Sequence, residues 1–420
     1  MKLFTHQKQA LETTKNYNRV AYYHDMGLGK TYTGAEKMHE LGASVNLVIC
    51  QKSKVDDWIE HFFQNYNEEY FRFDLTDKNG ISKFFDFVSL DLPCVGVINY
   101  ELAFRRKELL KLENFTLMLD ESSLIQNEQA KRSKFILKLK ANNVILLSGT
   151  PTGGKYENLW SQIHLLGWNI SKKMFYNHYV NYHYDDNNGF PLMVIDGYKN
   201  EERLKRKMRE HGCHFLKTDE VFDLPEQIHQ TISINTTKEY RKFKRDSIVL
   251  FNDIELVGDT TLTKMLYERQ LCGQYNADKL EAFRDLVEST NDRLIVFYNF
   301  HEELKQLLSI CDDCGRSASV VNGKMKCLDQ YNSCENSVTF IQYQAGAMGL
   351  NLQKANKIVY FTPPLSSELF EQSKKRTHRI GQERTCFYYY LTCRNSVEEK
   401  IYKTLEMRKD YTDALFEAEC

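Results

Sequence analysis

The sequence predicts an α/β fold made of two tandem domains, each built on a parallel sheet. Apolar runs prone to form strands alternate with helical patterns through residues 19–166, and the alternation returns after a middle section that lacks it. A chain of 420 residues is also too long to fold around one hydrophobic core. We therefore expect an N-terminal domain at 1–166, helical protrusions and a linker at 167–277, and a C-terminal domain at 278–420.

The composition is ordinary for a globular protein, with 42% hydrophobic and 27% charged residues. No apolar run is long enough to cross a bilayer, and the first residues, MKLFTHQKQA, are too polar for a signal peptide. Eleven scattered cysteines, an odd number, suit a reducing compartment better than a disulfide framework. A net charge of −1 offers no general attraction for nucleic acid, so any such contact must come from local basic patches. We expect a cytoplasmic protein without membrane contact.

The first predicted strand runs into a glycine-rich turn and then a helical pattern, in RVAYYHDMGLGKTYTGAEKM at 19–38. This is the layout of a phosphate-binding loop. Gly27 and Gly29 let backbone N–H groups face phosphate oxygens. Lys30 would reach the β and γ phosphates, and the Thr31 hydroxyl would bind Mg²⁺. The pattern therefore predicts a nucleotide with Mg²⁺.

Two further predicted strands end in polar side chains that suit the same site. The strand in FTLMLDESSLIQN (115–127) leads to Asp120, suited to hold Mg²⁺ through water, and Glu121, suited to orient or deprotonate the attacking water. The strand in NVILLSGTPTGG leads to Ser148 and Thr150, at the ligand edge of a parallel sheet. Taken alone, the acidic pair also fits a helix N-cap, and the hydroxyl pair fits a plain strand-to-helix turn. The preceding phosphate loop favours the catalytic interpretation.

The second α/β half contains strands such as DRLIVFYNF at 292–300 but no phosphate loop of its own. It does contain QSKKRTHRIGQ at 372–382, in which Gln372, Arg376 and Arg379 stand at spacings that share one face of a helix. The two arginines suit an arginine finger, because a planar guanidinium can hold two oxygens of a transferring phosphoryl group. The alternative is a solvated basic helix face.

The order of these motifs resembles the Swi/Snf branch of helicase superfamily two, whose members are double-stranded-DNA translocase ATPases. The resemblance spans nearly the whole chain and rests on THQKQAL, HDMGLGKT, VICQKSKVDDWIEHF, VINYE, LDESSLIQNEQAKRSK, LLSGTPTGGKYENLW, FLKTDEVFDLP, QAGAMGLNLQKAN and QSKKRTHRIGQ. FLKTDEVFDLP and the RIGQ ending distinguish this branch from RNA-unwinding relatives. The resemblance implies two RecA-like lobes with short helical insertions and a C-terminal brace helix at 396–415. It also implies ATP, Mg²⁺ and double-stranded DNA as ligands.

The resemblance implies a role for each candidate residue, including those that the local patterns already define. It assigns catalysis to Lys30, Glu121, Arg376 and Arg379. Nucleotide binding is assigned to Gln7, which would read adenine, and to Gly27, Gly29, Lys30, Thr31, Asp120, Gly349 and Asn351. Coupling is assigned to Ser148, Thr150 and Gln372, and nucleic-acid binding to Lys52, Ser53, Asn99, Lys217 and Gln344.

The chain departs from the branch at four positions. His24 replaces the first glycine of the phosphate loop, and Ser123 stands where histidine is common. Gln51 replaces a frequent proline, and Gly154 lies near the place of a missing asparagine. None of these changes removes a predicted phosphate ligand, so ATP hydrolysis stays the prediction. The departure at Ser123 predicts a rewired polar link between the Mg²⁺ site and the coupling motif.

The predicted function is DNA-dependent ATP hydrolysis with translocation along double-stranded DNA, remodelling or displacing DNA-bound factors. The alternatives are a strand-separating DNA or RNA helicase and a nucleotide-regulated nucleic-acid-binding module with weak hydrolysis. The small size and short protrusions predict a compact phage or bacterial member, acting as a monomer in the bacterial or phage-infected host cytoplasm. Targeting would come from a protein partner or from the duplex itself.

A set of cysteines raises the question of a structural zinc site. CDDC has a ligand-like spacing, but six residues separate the second pair; the set is Cys311, Cys314, Cys327 and Cys334. Without a paired-knuckle pattern, free thiols are favoured over zinc.

Overall fold

The computed structural model describes residues 2–187, 190–251, 254–346 and 350–416. It divides into two compact units. One reaches from the start of the chain to Val221 and includes the end of the chain from Asp410; the other spans Phe222–Lys409. Each unit contains a seven-stranded sheet with helices, so the predicted pair of α/β domains is confirmed. The domain limits at 166 and 277 stay a prediction.

The first unit is organised by a sheet of seven strands: β1 Arg19–His24, β2 Val45–Cys50, β3 Phe71–Asp74, β4 Cys94–Asn99, β5 Phe115–Asp120, β6 Asn143–Ser148 and β9 Cys213–Leu216. Their order is β3-β4-β2-β5-β6-β1-β9, and every neighbouring pair is parallel. A hairpin of β7 Val180–Asn187 and β8 Phe190–Tyr198 lies outside this sheet. The parallel arrangement brings all seven carboxyl ends to one edge.

Alternating side chains of the central strands enter two different cores. In β2, Leu47 and Ile49 join one hydrophobic cluster, while Val48 and Cys50 join another. All four side chains are fully buried. Burial on both faces explains why β2 is a continuous apolar run instead of an alternating one.

Helices connect the strands of the first unit: α1 Thr5–Thr13, α2 Lys30–Leu41, α3 Val55–Asn65, α4 Lys78–Ser89, α5 Tyr100–Ala103, α6 Lys131–Ile136, α7 Trp160–Leu165, α8 Lys172–Tyr179 and α9 Glu201–Glu210. The Asp77 carboxylate caps the start of α4, and the Ser171 hydroxyl caps the start of α8. α2 ends before Gly42, whose φ of 66° is readily adopted only by glycine. Local sequence signals therefore set these boundaries.

The second unit has its own seven-stranded sheet: β10 Gln227–Ile234, β13 Leu294–Tyr298, β14 Ala318–Val321, β15 Lys326–Cys327, β16 Val338–Gln342, β17 Lys357–Tyr360 and β18 Cys386–Cys393. The order is β10-β18-β17-β13-β16-β14-β15. All pairs are parallel except the last, in which β15 runs antiparallel to β14. A second hairpin, β11 Ile248–Phe251 with β12 Ile254–Val257, stands outside the sheet.

The helices of the second unit are α10 Lys238–Asp246, α11 Thr261–Cys272, α12 Ala277–Glu288, α13 His301–Asp313, α14 Asp329–Ser333, α15 Tyr343–Gly346 and α16 Ser367–Lys374. α17 Val397–Phe416 begins in this unit, and its residues from Asp410 belong to the first unit. α17 covers the predicted C-terminal helix. A fully buried ion pair joins α12 to α17, with Lys279 Nζ 2.6 Å from Glu398 Oε1. None of the helices in the described residues is long and apolar enough to cross a membrane.

The middle of the chain contains more strand than the sequence predicted. Residues 167–277 include both hairpins and two strands of the large sheets: β9 pairs with β1, and β10 pairs with β18. β9 has only four residues, and β10 is exposed along most of its length. Neither strand shows the apolar pattern that identifies a buried strand, so neither was predicted from the sequence.

The helix predicted across QSKKRTHRIGQ ends early. α16 stops at Lys374, and Arg376 and Arg379 lie in the turns that follow. The Tyr388 hydroxyl donates to the Lys374 carbonyl at 3.2 Å, and the Leu352 N–H donates to the Arg376 carbonyl at 3.1 Å. These long-range donors satisfy carbonyls that a longer helix would have used itself. The prediction that the two arginines share a helix face was therefore wrong.

Candidate functional site

Four neighbouring strands of the first sheet, in the order β2-β5-β6-β1, end at the same edge. The predicted nucleotide-site residues lie at or after the ends of three of them, β1, β5 and β6. Lys30 follows β1, Asp120 and Glu121 stand at the end of β5, and Ser148 and Thr150 at the end of β6. Since β6 lies between β5 and β1, the sheet brings the predicted carboxylates and the phosphate loop to one edge.

The phosphate loop connects β1 to α2 through two glycines in the left-handed region. The φ angle is 91° at Gly27 and 71° at Gly29, values that glycine adopts at little cost. Lys30 opens α2, and its ammonium donates to the carbonyls of His24 (2.9 Å) and Asp25 (3.3 Å). A helix N-terminus and a lysine thus lie together, a combination suited to phosphate.

The side-chain amide of Gln7 lies against this loop. Its Nε2 donates to the carbonyls of Leu28 and Gly29, both at 3.2 Å, and its Oε1 accepts from the Phe4 N–H at 2.9 Å. The ring of His6 also contacts the Leu28 carbonyl, Nε2 to O 3.0 Å. The start of α1 is therefore part of the loop's surroundings, while the adenine-reading role of Gln7 stays a prediction.

Asp120 is half-buried, and its carboxylate accepts a hydrogen bond from the Trp58 indole, Nε1 to Oδ2 2.9 Å. Burial raises the pKa of Asp120, while the Trp58 N–H and the Lys30 ammonium oppose that rise. Thr31 lies half-buried in the first turn of α2. Hydroxyl and carboxylate oxygens are hard donors of the kind that Mg²⁺ prefers. The residues present therefore fit the predicted Mg²⁺.

Glu121 follows β5 in a left-handed conformation, φ 54° and ψ 60°, which is uncommon for a residue with a side chain. The Tyr100 hydroxyl donates to the Asp120 carbonyl at 2.9 Å and lies 3.4 Å from the Glu121 carbonyl. This contact supports the sharp turn after the strand. Strain of this kind is concentrated at functional sites in proteins. Tyr100 was not singled out from the sequence, since its hydroxyl reaches the turn only through tertiary packing.

The loop after β6 approaches the phosphate loop. The Thr150 N–H donates to the Ser148 hydroxyl at 3.1 Å, which tightens the turn at the strand end. A methyl group placed at Gly149 would lie 3.4 Å from Lys30 Nζ and 3.4 Å from the His24 carbonyl. The loops after β1 and β6 therefore meet at Lys30, whose charge also acts on Asp120.

The segment around β9 contacts the phosphate loop through hydrogen bonds to Asp25 and His24. The Asp25 carboxylate accepts from the N–H and the hydroxyl of Thr218, at 3.1 and 3.2 Å. His24 Nε2 lies 2.9 Å from His214 Nδ1. Burial, followed by the charges of His214 and the loop lysine, lowers the pKa of His24 well below its usual range, and burial lowers the pKa of His214 to about 4. Both rings are therefore neutral at neutral pH. Sequence reasoning missed these contacts because the partners are far apart along the chain.

The second unit carries the predicted arginines. Arg376 is buried, with 2% of its surface exposed, whereas Arg379 is half-buried. The Arg379 guanidinium donates to the side-chain carbonyl of Asn351, and burial lowers the pKa of Arg379. Gln372 is buried in α16 and donates to a carboxylate one turn earlier at 3.3 Å. Gly349 lies outside the described residues. Asn351 and Arg379 are thus brought together.

The predicted nucleic-acid contacts differ in exposure. Three are exposed near the carboxyl ends of strands: Lys52, Ser53 and Gln344. Lys217 is half-buried after β9. Asn99 is buried at the end of β4, and its Nδ2 donates to the Glu101 carboxylate at 2.9 Å. The first three side chains are available to a ligand as they stand, while the amide of Asn99 is already engaged.

The zinc question concerns Cys311, Cys314, Cys327 and Cys334. Within the described residues these four do not form a group of close metal ligands; the group that does is Cys272, Cys393 and Glu398. The two oxygens of Glu398 accept from the Lys279 ammonium at 2.6 and 2.8 Å. A metal ion would have to displace that buried cation. Free thiols are therefore the better description of both sets.

Two known protein families together match most of the chain. The SNF2-related domain matches residues 10–277, and the helicase conserved C-terminal domain matches residues 278–381. The ISWI chromatin-remodeling complex ATPase ISW1 of Saccharomyces cerevisiae is 23% identical over 92% of this chain, which spans 38% of that protein. The putative ATP-dependent helicase/translocase YwqA of Bacillus subtilis is 23% identical over 74% of this chain, which spans 37% of that protein. Among solved structures, the Sulfolobus solfataricus SWI2/SNF2 ATPase core in complex with dsDNA is similar over 98% of this chain and 92% of that chain, with 20% identity and a TM-score of 0.46.

Proposed function

We propose, since this chain belongs to the SNF2-related family of ATPases, that it hydrolyses ATP at the ligand edge of its first sheet and uses the cycle to move along double-stranded DNA. The observation that carries the proposal is the meeting of the loops after β1 and β6 at Lys30, whose charge acts on the Asp120 carboxylate at the end of β5. The chain spans less than half the length of the Saccharomyces cerevisiae and Bacillus subtilis proteins that it resembles. Remodelling or displacement of DNA-bound factors is therefore proposed only as the effect of this motor.

The chemistry is assigned to residues of the first unit. The N–H groups of the phosphate loop and Lys30 would hold the β and γ phosphates. Thr31 and Asp120 would hold Mg²⁺, which when bound neutralises charge on the phosphates. Glu121 would orient the attacking water and take its proton. Its left-handed backbone, braced through the Tyr100 hydroxyl, supports this role because it limits where the carboxylate can move.

Arg376 and Arg379 are assigned to neutralise the charge that develops on the transferring phosphoryl group. Arg379 is the cleaner test, because Arg376 is buried and its replacement also disturbs packing. Arg379→Lys should spare ATP binding and lower turnover about tenfold or more, since an ammonium cannot hold two oxygens at once. Arg394→Lys, at an exposed arginine of the same unit, is the control. Equal turnover in both variants would contradict the assignment.

Double-stranded DNA is the proposed track. Lys52, Ser53 and Gln344 are exposed and are assigned to phosphate contacts, with Asn99 and Lys217 as further candidates. Contacts to the phosphate backbone carry little sequence preference, which suits movement along any duplex. The FLKTDEVFDLP and RIGQ elements support a duplex translocase over a strand-separating helicase.

The experiment measures ATP turnover with duplex DNA, single-stranded DNA and RNA side by side. Duplex DNA should raise turnover many-fold in the wild type, and Glu121→Gln should abolish it. Glu113→Gln, at an exposed carboxylate just before β5, is the matched control and should behave as wild type. A wild type that hydrolyses ATP without responding to any nucleic acid would exclude the proposed DNA dependence. Stimulation by RNA with strand separation would favour the helicase alternative.

The setting in which the motor works is a further part of the proposal. We place it in a bacterial or phage-infected cytoplasm, as a monomer directed by a protein partner or by the duplex. Light scattering of the purified chain, with and without duplex DNA, tests the monomeric state.

A further inference from the structure

We propose that Gln162 is a positioning residue that transmits the state of the loop after β6 to the turn bearing the catalytic carboxylates. The inference rests on the proposed ATP hydrolysis at this edge. Gln162 lies in α7, and its side chain is fully buried. It belongs to none of the residues assigned to catalysis, nucleotide binding or coupling.

The amide of Gln162 joins three segments of the site. Its Oε1 accepts from the Ser122 hydroxyl at 2.8 Å and from the Tyr23 hydroxyl at 3.1 Å. Its Nε2 donates to the Pro151 carbonyl at 2.7 Å. Ser122 directly follows Glu121, Tyr23 lies in β1 just before the phosphate loop, and Pro151 belongs to the loop after β6. One side chain therefore contacts the chain at the ends of β1, β5 and β6.

An amide is the side chain that this position requires. Two hydroxyl donors converge on its oxygen, while a carbonyl acceptor faces its nitrogen. Ser122, Tyr23 and Gln162 all have 0% of their surface exposed. Water cannot replace a hydrogen bond lost there, so each bond is costly to break. When one of the three segments moves, the other two must follow or a buried polar group loses its partner.

The bridge formed by Gln162 lies next to the departure at Ser123. A rewired polar link was expected because Ser123 stands where the resembled family commonly has histidine. The neighbouring hydroxyl of Ser122 reaches the loop after β6 through Gln162. Sequence reasoning could not find this link, because Gln162 lies 40 residues after Ser122 and is one of three polar residues in α7.

The test compares ATP turnover of the wild type, Gln162→Leu, Ser122→Ala and the double variant, with and without duplex DNA. Gln162→Leu should lower kcat about tenfold and leave the KM for ATP within about twofold, because no nucleotide ligand is removed. Ser122→Ala should lower kcat in the same direction. The double variant should be no slower than Gln162→Leu alone, because both changes break the same connection.

Gln162→Glu separates the two arms of the bridge. A carboxylate keeps an acceptor for the hydroxyls of Ser122 and Tyr23 but offers the Pro151 carbonyl no donor. This variant should lose the stimulation by duplex DNA more than it loses the basal rate. Equal loss of the basal and the duplex-stimulated rate would show that the contact to Pro151 does not transmit the state of the loop after β6.

Asn46 provides the matched control for loss of a buried amide. It is fully buried in the same sheet and donates to the carbonyls of Ala43 (3.0 Å) and Cys94 (3.3 Å), at the start of β2 and away from the ligand edge. Asn46→Leu should lower the thermal stability without lowering kcat. An equal loss of kcat in Asn46→Leu and Gln162→Leu would overturn the proposal in favour of general destabilisation.

The basal rate of ATP turnover distinguishes failure of the proposed DNA dependence from failure of the proposed role of Gln162. If the wild type hydrolyses ATP but does not respond to duplex DNA, the DNA part of the proposed function fails, while the double-variant comparison at the basal rate still decides the bridge. Full additivity of Ser122→Ala and Gln162→Leu would overturn the bridge whatever DNA does. If Gln162→Leu does not fold, Ser122→Ala and Tyr23→Phe, each removing one hydroxyl, decide the same question through kcat and KM.

Discussion

The Trp58 indole donates to the Asp120 carboxylate across 2.9 Å, from the helix after β2 to the end of β5. Trp58 is buried, with 2% of its surface exposed, so water does not compete for the bond. The bond stabilises the ionised carboxylate and opposes the burial that raises the pKa of Asp120. Trp58 therefore helps to keep charged the carboxylate that we propose to hold Mg²⁺.

Trp58→Phe should move the acid limb of kcat/KM to higher pH, because loss of a donor to a charged group raises the pKa of Asp120. The Mg²⁺ concentration for half-maximal turnover should rise as well. Turnover measured against pH and against Mg²⁺ tests both effects. Trp160→Phe is the control, since its indole donates to the Ile170 carbonyl at 2.9 Å. An unmoved acid limb in Trp58→Phe would contradict the role given to the indole.

Gly29→Ala should abolish ATP binding, whereas Gly42→Ala should leave it intact. Both glycines flank α2 at positive φ, 71° and 66°, so alanine strains either position by about 1–2 kcal/mol. Only at Gly29 would the added methyl overlap the side-chain nitrogen of Gln7; at Gly42 nothing lies within 4 Å. Binding of a fluorescent ATP analogue, with thermal unfolding alongside, distinguishes the two. Similar affinities in both variants would show that the contact with Gln7 is unimportant.

Glu398→Leu should destabilise the second unit by about 3–5 kcal/mol, because it leaves the fully buried Lys279 ammonium without its partner. The double variant Lys279→Leu with Glu398→Leu should lose less. Hydrogen exchange of the β18 amides measures the difference. The exposed pair of Lys305 and Glu302, 3.5 Å apart, is the control, and its removal should have little effect. A double variant as unstable as the single one would indicate that packing, not charge, dominates.

Glu303→Gln should remove a pH dependence of stability. Burial raises the pKa of Glu303 to about 7, although backbone donors from Asn299 and Phe300 oppose it. Because the folded-state pKa lies above the unfolded one, the stabilisation is complete below about pH 4.5 and is lost as pH rises through 7, by about 3 kcal/mol in total. Hydrogen exchange of the β13 amides, comparing wild type with Glu303→Gln at each pH from 5 to 8, tests this. The exposed neighbour supplies the control, Glu302→Gln. A wild type and Glu303→Gln that differ equally at every pH would exclude the titration.

The phosphate loop could be predicted because everything that forms it is local. A buried strand, two glycines at positive φ and a lysine at the first helical position follow one another within a dozen residues. The same holds for the strands that end at Asp120 and Ser148, whose apolar runs are long enough to identify them as buried on both faces.

Long-range contacts could not be predicted in the same way. α16 ends at Lys374, where Tyr388 and Leu352 donate to carbonyls near its end. The sequence QSKKRTHRIGQ itself contains no signal that predicts this end. β9 joins the first sheet by pairing with β1, although only one of its four residues is buried. In both cases a partner distant in the chain overrides the local pattern.

The sequence by itself determined the α/β class, the glycine turn between β1 and α2 and the place of Asp120 and Glu121 at the end of a buried strand, because periodicity and glycine act over a few neighbouring residues. Only the tertiary structure decided that Trp58 donates to Asp120 and that Gln162 joins the ends of three strands. The physical reason is that a buried polar group must find a partner wherever packing places one. Which partner it finds therefore depends on residues that come close to it only when the sheet has formed.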